Sequence, residues 1–295
     1  MPFRMNGVEM TNLVVNGVPM DNVYVNGALV FSAGWNLANA VYDNISGSVN
    51  PPSGGSTDIY FKPDGTKLYI IDGNNDTVYQ YSLPTPWSLA TLTYDNKLLN
   101  VNAQAPGPTG IYFKSDGTSM YIVGGSTNMI YQYTMSIAWD VSTSSLFSSA
   151  ALVVATGEFG NGVYFSQDGL RMYVVNYKSF FGNTASVSQY SLSTAWNIST
   201  TNFIALLDIT SPDSRPEGIF FKPDGTKMYI AGSGGGAVYQ HTLLTPWVIS
   251  TSTYDTISFS ISPQEQGLSG LSFHTNGKKM YIIGFVQDAV FQYSL

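Results

Sequence analysis

Carboxylates are the residues of this chain best suited to chemistry. Asp58, Glu158, Asp213, Glu217 and Glu265 each fall just ahead of a strand that enters the same repeated hairpin. Two such groups held about 5–9 Å apart can act as acid and base around a glycosidic bond. These five do not share one equivalent position, however, and only Asp58 stands where the other copies carry Gly110, Gly162, Gly218 and Gly270. Asp72, Asn74 and Asp76 alternate like the start of a calcium loop, but the bidentate Glu of an EF-hand is missing, so no metal is expected. His241 replaces a strand Tyr and His274 a Lys before the turn, and neither reads as catalytic. There is no Cys, which removes disulfides, Cys-zinc sites and thiol catalysis. Nucleophile elbow, phosphate loop and His-Glu-x-x-His patterns are missing as well. The expectation is a non-enzymatic protein with no catalytic residue and no cofactor.

The elements that must position these groups are five near-copies of one hairpin: Asp58–Ile70, Gly110–Ile122, Gly162–Val174, Gly218–Ile230 and Gly270–Ile282. Each runs from an apolar, aromatic strand through a polar turn into a second apolar strand. In Lys62-Pro63-Asp64-Gly65-Thr66, Pro suits a φ near −65° and Gly a positive φ, so Asp64 and its counterparts Asp116, Asp168 and Asp224 are turn residues. The five Trp residues (35, 87, 139, 196 and 247) and the five turn glycines recur with a period of about 52 residues. Such a period, with three or four strands per copy, predicts propeller blades.

Trp35–Asn44 aligns without a gap to Trp87–Asn96, yet no hairpin precedes Trp35 and no Trp follows the last hairpin. The chain thus supplies one blade's outer strand first and its three inner strands last, which closes the ring and removes its edges. The expected fold is all-β: a five-bladed propeller over residues 32–295, closed by the N-terminal outer strand and preceded by a small β-meander over 1–31. In blade 1, strand A is expected at Ile59–Phe61, B at Leu68–Ile71, C at Val78–Tyr81 and D around Asn96–Val101. The repeated Gln80, Gln132, Gln189, Gln240 and Gln292 are expected to bond neighbouring backbone, and the Trp residues to pack between blades.

Only 11% of the 295 residues are charged and the net charge is −7, whereas aromatics reach 14%. That balance suits a folded β protein and argues against binding nucleic acid through its phosphates. No apolar run is long enough to span a membrane, and residues 1–20 lack the apolar core of a signal peptide. Residues 1–31 have a ten-residue rhythm of Asn6-Gly7, Asn16-Gly17 and Asn26-Gly27, steps that close tight hairpins. Between them lie Val14-Val15 and Val23-Tyr24-Val25, the candidate attachment residues of a module that either packs on the propeller or pairs with another protein.

In a propeller the A–B and C–D connections share one face, and the B–C and D–A loops the other. Residues 1–31 should leave from the A–B face together with the C-terminus. The B–C loops vary, and blade 3 carries an insertion with Tyr177, Phe180 and Phe181, aromatics that mark a contact surface or fold over a neighbouring loop. Any site is therefore expected where the repeat breaks, at residues 1–31 and 177–184. Asp72, Asn74, Asp76, Asp58 and Glu217 complete the candidate ligand or partner contacts.

The hairpin Phe221-Lys-Pro-Asp-Gly-Thr-Lys-Met-Tyr-Ile230, with Val238-Tyr-Gln and Pro246-Trp247, resembles the NHL and YVTN repeat propellers of bacterial and bacteriophage proteins. The segment Val14–Gly27 resembles N-terminal segments of tailed-phage structural proteins. Together these resemblances imply a virion protein, assembled in the host cytoplasm: a tail, fibre or capsid-surface component anchored to other virion proteins through residues 1–31. They further imply that its propeller binds a host-surface glycan or protein. A homo-oligomer is compatible with this, though nothing in residues 1–31 counts chains. A lectin-like carbohydrate-binding module is the alternative, and a glycan-cleaving enzyme, as several five-bladed propellers are, comes third.

Overall fold

The computed structural model describes residues 34–51, 54–155, 157–178 and 184–295, together with the backbone of six short strands between residues 4 and 32. Those six pair as successive antiparallel hairpins. Strand β1 (Arg4–Met5) pairs with β2 (Val8–Glu9), β3 (Leu13–Val15) with β4 (Val18–Met20), and β5 (Asn22–Val25) with β6 (Ala28–Ser32). Each pair flanks one Asn-Gly step, the dipeptide whose tolerance of positive φ matches a two-residue hairpin.

After them come β7 (Val41–Ser48) and then blade 1, made of β8 (Ser56–Phe61), β9 (Lys67–Asp72), β10 (Thr77–Ser82) and β11 (Thr93–Asn100). Blade 2 is β12 (Pro108–Phe113), β13 (Ser119–Gly124), β14 (Met129–Met135) and β15 (Ser144–Ala151). Blade 3 is β16 (Phe159–Phe165), β17 (Arg171–Tyr177), β18 (Ala185–Leu192) and β19 (Thr201–Asp208). Blade 4 is β20 (Pro216–Phe221), β21 (Lys227–Gly232), β22 (Ala237–Leu243) and β23 (Ser252–Ser260). Blade 5 is β24 (Leu268–Phe273), β25 (Lys279–Gly284) and β26 (Ala289–Ser294), completed by β7.

The closure is antiparallel, from Ala289 opposite Ser48 to Ser294 opposite Val41. The innermost strands β8, β12, β16, β20 and β24 each touch the next, and β24 touches β8, so the ring is complete. Five blades closed by the N-terminal outer strand are what the Trp and Gly spacing predicts.

Strand D begins earlier than expected, at Thr93 instead of near Asn96. The reason is a bulge: Gln80 lies opposite Lys97 but Tyr81 opposite Tyr94, leaving Asp95 and Asn96 unpaired in the ladder. Asn96, Asn44 and Thr256 hold the left-handed backbone this needs, at φ 55°, 57° and 57°.

Each A–B turn is built as the sequence dictates. The Gly65 amide donates to the Lys62 carbonyl at 2.8 Å, and Gly65 itself sits at φ 74°. The Asp64 carboxylate accepts the Thr66 amide at 2.9 Å and pairs with Lys62 at 2.7 Å. A Cβ on Gly65 would collide with the indole of Trp87, which lies over the turn. The same ring covers Phe61 of its own blade and Tyr281 of blade 5. Each of the five apolar clusters fills one blade-to-blade interface, so the core is a ring of five slabs, not one centre.

Polar latches complete each interface. The Tyr121 hydroxyl donates to the Trp196 carbonyl of the next blade at 2.6 Å, and Tyr69 reaches Trp139 at 2.8 Å. Four of the repeated Gln residues bond neighbouring backbone, while Gln292 donates to the Asp43 carboxylate at 2.7 Å. Gln80 Oε1 accepts the Val141 amide at 3.1 Å, Gln132 that of Ile198 at 3.2 Å, and Gln240 that of Leu37 at 2.9 Å. All five Trp residues hold φ between 62° and 66°, a conformation that costs a non-glycine residue about 1–2 kcal/mol. The latch explains why it persists: each Trp amide donates to the turn glycine of its blade, and its carbonyl is turned towards the neighbour.

Candidate functional site: an axial cavity floored by Asp58

The innermost strands leave a cavity of about 380 Å³ along the ring axis. Its rim is formed by the first turn residues after strand A, among them Pro63, Ser115, Gln167 and Thr275, all exposed. The mouth therefore opens on the A–B turn face. Its floor is Asp58, five residues back along β8, a depth of about 16 Å at the usual strand rise.

Aromatic residues build the wall because strand A repeats one at the same position in four blades: Tyr60, Tyr112, Tyr164 and Phe220. Successive rings meet edge to face with centroids 5.2, 5.2 and 5.1 Å apart. The tyrosine hydroxyls do not enter the cavity. Tyr60 donates to the Phe113 carbonyl at 3.2 Å, Tyr112 to Phe165 at 3.2 Å and Tyr164 to Phe221 at 3.0 Å. Blade 5 carries Ser272 at this position, so the belt of rings is broken once. Trp35, Trp87 and Trp196 add indole surface nearer the mouth.

The floor follows from a near-ring of glycines. A Cβ on Gly162 would press on Glu217 and Gly218, and one on Gly218 on Leu271, because the innermost strands almost touch at this level. Asp58 alone has a side chain here, and it reaches the adjacent blade. Its carboxylate accepts the Ile59 amide at 2.8 Å and the Ile111 amide of the next blade at 3.0 Å. Burial pushes its pKa up to about 8, against the pull of those two amides. No Lys or Arg among the described residues pairs with it.

The other candidate carboxylates, Asp72, Asp76, Glu158 and Glu265, lie at the opposite face and tie loops together. Asp72 accepts the amides of Asn74 at 2.8 Å and Asn75 at 3.1 Å, while Asp76 accepts Gly107 at 2.7 Å and the Asn102 side chain. Asn74 turns its own amide to the Gly54 carbonyl at 2.7 Å, so the three residues of the calcium-like alternation serve separate loop bonds. Glu265 accepts Gly267 at 2.6 Å and Gln287 at 3.0 Å, and Glu158 accepts the Ser186 hydroxyl at 2.5 Å.

Glu217 and Asp213 come near one another. Glu217 accepts Ser233 at 2.6 Å and Asn161 at 2.9 Å, and its pKa is raised, first by burial and to a lesser extent by Asp213. The Asp213 carboxylate accepts the backbone amides of Arg215 at 2.7 Å and Gly235 at 2.7 Å and the Tyr239 hydroxyl at 3.1 Å, so it holds the loop.

Tyr177 folds over a neighbouring loop: the Arg215 guanidinium of blade 4 lies 5.8 Å from its ring centre. Phe180 and Phe181 lie outside the described residues. So do the side chains of Val14, Val15, Val23, Tyr24 and Val25, whose backbones form β3 and β5. His241 is buried against Tyr254, and burial lowers its pKa to about 4, leaving it neutral. His274 stacks on Trp87 at 4.3 Å.

The cavity lies apart from residues 1–31 and 177–184, where the repeat breaks and where a site is expected. The cavity is lined by the repeat itself and opens on the turn face. Residue-level signals for it are the replacement of Gly by Asp58 and of an aromatic by Ser272.

No protein-family model and no curated protein matches this chain. Among solved structures it is similar to a protein from Lactobacillus plantarum, at 15% identity and a TM-score of 0.47, covering 73% of this chain and 59% of that one. It is also similar to the periplasmic gluconolactonase PpgL of Pseudomonas aeruginosa, at 16% identity and a TM-score of 0.46, covering 81% and 62%. A chain of a nidogen/laminin complex matches at 13% identity and a TM-score of 0.48, covering 78% and 72%. The chain thus spans less than two thirds of the first two proteins, and likenesses at this level say nothing about its activity.

Proposed function

We propose that this chain is a non-enzymatic virion protein of a tailed bacteriophage, attached through residues 1–31 and displaying a propeller that recognises a ligand. The observation that carries the reading is the completeness of the ring. All five four-stranded sheets are filled by residues from Val41 onward, and among the described residues β1 to β6 pair only within their own hairpins. The propeller makes no use of them in its sheets, which leaves their edges for another protein. Gly34 packs on the turn of blade 5 at Gly277, and the Leu295 amide donates to the Lys278 carbonyl beside it, so Gly34 and Leu295 both lie on the A–B face. On this reading that face turns towards the particle, and the loop face with the blade 3 insertion turns outward to the host.

The non-enzymatic part is supported by how the carboxylates are placed: Asp58 stands alone at the cavity floor, and Asp72, Glu158, Asp213 and Glu265 hold loops. Deleting residues 1–31 tests the anchor. The truncated chain should keep its β circular dichroism and melting temperature yet be missing from purified particles. Normal incorporation would sink the proposal.

A further inference from the structure

The cavity holds a combination that the recognition reading does not by itself require. Its walls are ring carbon, since Tyr60, Tyr112 and Tyr164 spend their hydroxyls on neighbouring carbonyls. Its floor is an acid with only backbone partners. An ionised carboxylate can accept about four hydrogen bonds, and Asp58 has accepted two. Burying a carboxylate without a cation is costly, and aromatic faces around a carboxylate attract one group above others, a positively charged organic cation. A glycan fits less well. It needs several donors and acceptors along the wall, whereas Ser115, Gln167 and Thr275 stand at the rim and Ser272 alone lies among the rings.

The charged groups near the entrance do not oppose this. Lys62, Lys114 and Lys222 each pair with the Asp two residues on, at 2.7, 2.7 and 2.8 Å, and present neutral pairs. His274 lies outside the wall on Trp87, with its pKa lowered first by burial and then by Lys279.

We infer that the axial cavity receives an organic ammonium group, free or borne on a lysine side chain, with its charge against Asp58 and its carbons among the rings. This rests on the reading of the propeller as a recognition domain. Because the mouth shares its face with the departing chain at Gly34, a lysine of a neighbouring virion protein is the source that reading favours. Binding then draws a proton from Asp58, since the ammonium stabilises its carboxylate. Affinity should therefore rise with pH until the acid of the free protein is already ionised.

Titration calorimetry on the full chain with choline and with Nα-acetyl-lysine methylamide tests this. The expected result is saturable binding of at least one, release of about one proton at pH 7, and affinity falling roughly tenfold per pH unit below the Asp58 pKa. Tryptophan emission should change on binding, and the tighter of the two ligands names the source. Asp58→Asn should weaken binding at least tenfold; should that variant fail to fold, the proton release of the unaltered chain and a weakened Phe220→Leu variant carry the test. Binding as tight to Asp58→Asn, or binding of the neutral isostere 3,3-dimethylbutanol as tight as that of choline, would overturn the proposal while leaving a recognition cavity. Absence of binding by both ammonium ligands would overturn it too. Particle incorporation of the 1–31 deletion is measured separately, so failure of the anchor reading is distinguishable.

Discussion

The Tyr173 hydroxyl of blade 3 donates to the Trp247 carbonyl of blade 4 at 2.6 Å, and the Gln189 amide of blade 3 donates to the same oxygen at 3.0 Å. One carbonyl thus receives two side chains from the adjoining blade. Gln189 also accepts the Ile249 amide at 3.1 Å, so it secures both ends of the short segment that leads into the outer strand of blade 4.

Tyr173→Phe should lower unfolding free energy by about 1–2 kcal/mol, the usual worth of a buried hydrogen bond, in urea titration. Gln189→Leu should cost about 2–3 kcal/mol, because the Ile249 amide is left without its acceptor inside the protein. The double variant should lose more than the sum, because each single change leaves the Trp247 carbonyl one donor and the pair leaves it none. Strict additivity would show that the shared carbonyl does not couple them.

Gly225 holds φ 73° beneath the Trp247 indole, where a Cβ would clash. Gly225→Ala should therefore cost at least about 2 kcal/mol, combining left-handed strain with displacement of the ring. The exposed Asp224→Asn in the same turn should cost under about 1 kcal/mol. Equal melting temperatures for the two variants would contradict the tight turn–indole contact.

Asp58 makes stability depend on pH in an unusual direction. Its pKa rises on folding from 3.8 to about 8, so between these values the folded chain keeps a proton that the unfolded chain has released. Stability from this group is complete below pH 4 and declines as pH rises to 8, by on the order of a few kcal/mol. Asp58→Asn should remove the decline, most cleanly between pH 6.5 and 8, and be the more stable protein at pH 8.5. A wild-type unfolding free energy that does not fall across pH 6.5–8 would contradict the buried acid.

His241 acts in the opposite sense. Its pKa falls on folding from 6.5 to about 4, so its contribution is present above pH 6.5 and is lost as pH drops through 4. That loss amounts to on the order of 3 kcal/mol. His241→Tyr restores the residue that the other blades carry as Tyr81, Tyr133, Tyr190 and Tyr293. It should leave stability at pH 7.5 nearly unchanged and raise it at pH 4.5. Parallel pH profiles for the two proteins would show that His241 is not the titrating group.

The architecture was legible because one Trp and one turn glycine recur per blade, and because Trp35–Asn44 repeats the pattern of Trp87–Asn96. Those features are local and periodic. The bulge at Asp95-Asn96 was not legible, since its cause is the pairing with Gln80 and Tyr81. Nor was the left-handed backbone of the Trp residues, which depends on partners such as Tyr121 in the adjoining blade. The cavity escaped for a related reason: Tyr60, Tyr112, Tyr164 and Phe220 read as ordinary alternating strand residues until five copies are set around one axis. Asp58 was visible as an exception to Gly, but its lack of a cation partner required the neighbouring blade to be in place.

The ladder between β7 and β26 has a consequence for how the protein is made. Val41 finds its partner only at Ser294, so during synthesis the outer strand of blade 5 waits unpaired while four blades emerge and stack as an open arc. Ribosome stalling or proteolysis that removes β26 would strand β7 with a free edge and split the seam between blades 5 and 1. The intact ring thus records that synthesis has passed Ser294, and loss of the six-residue β26 would be felt far back in the chain, at Val41–Ser48.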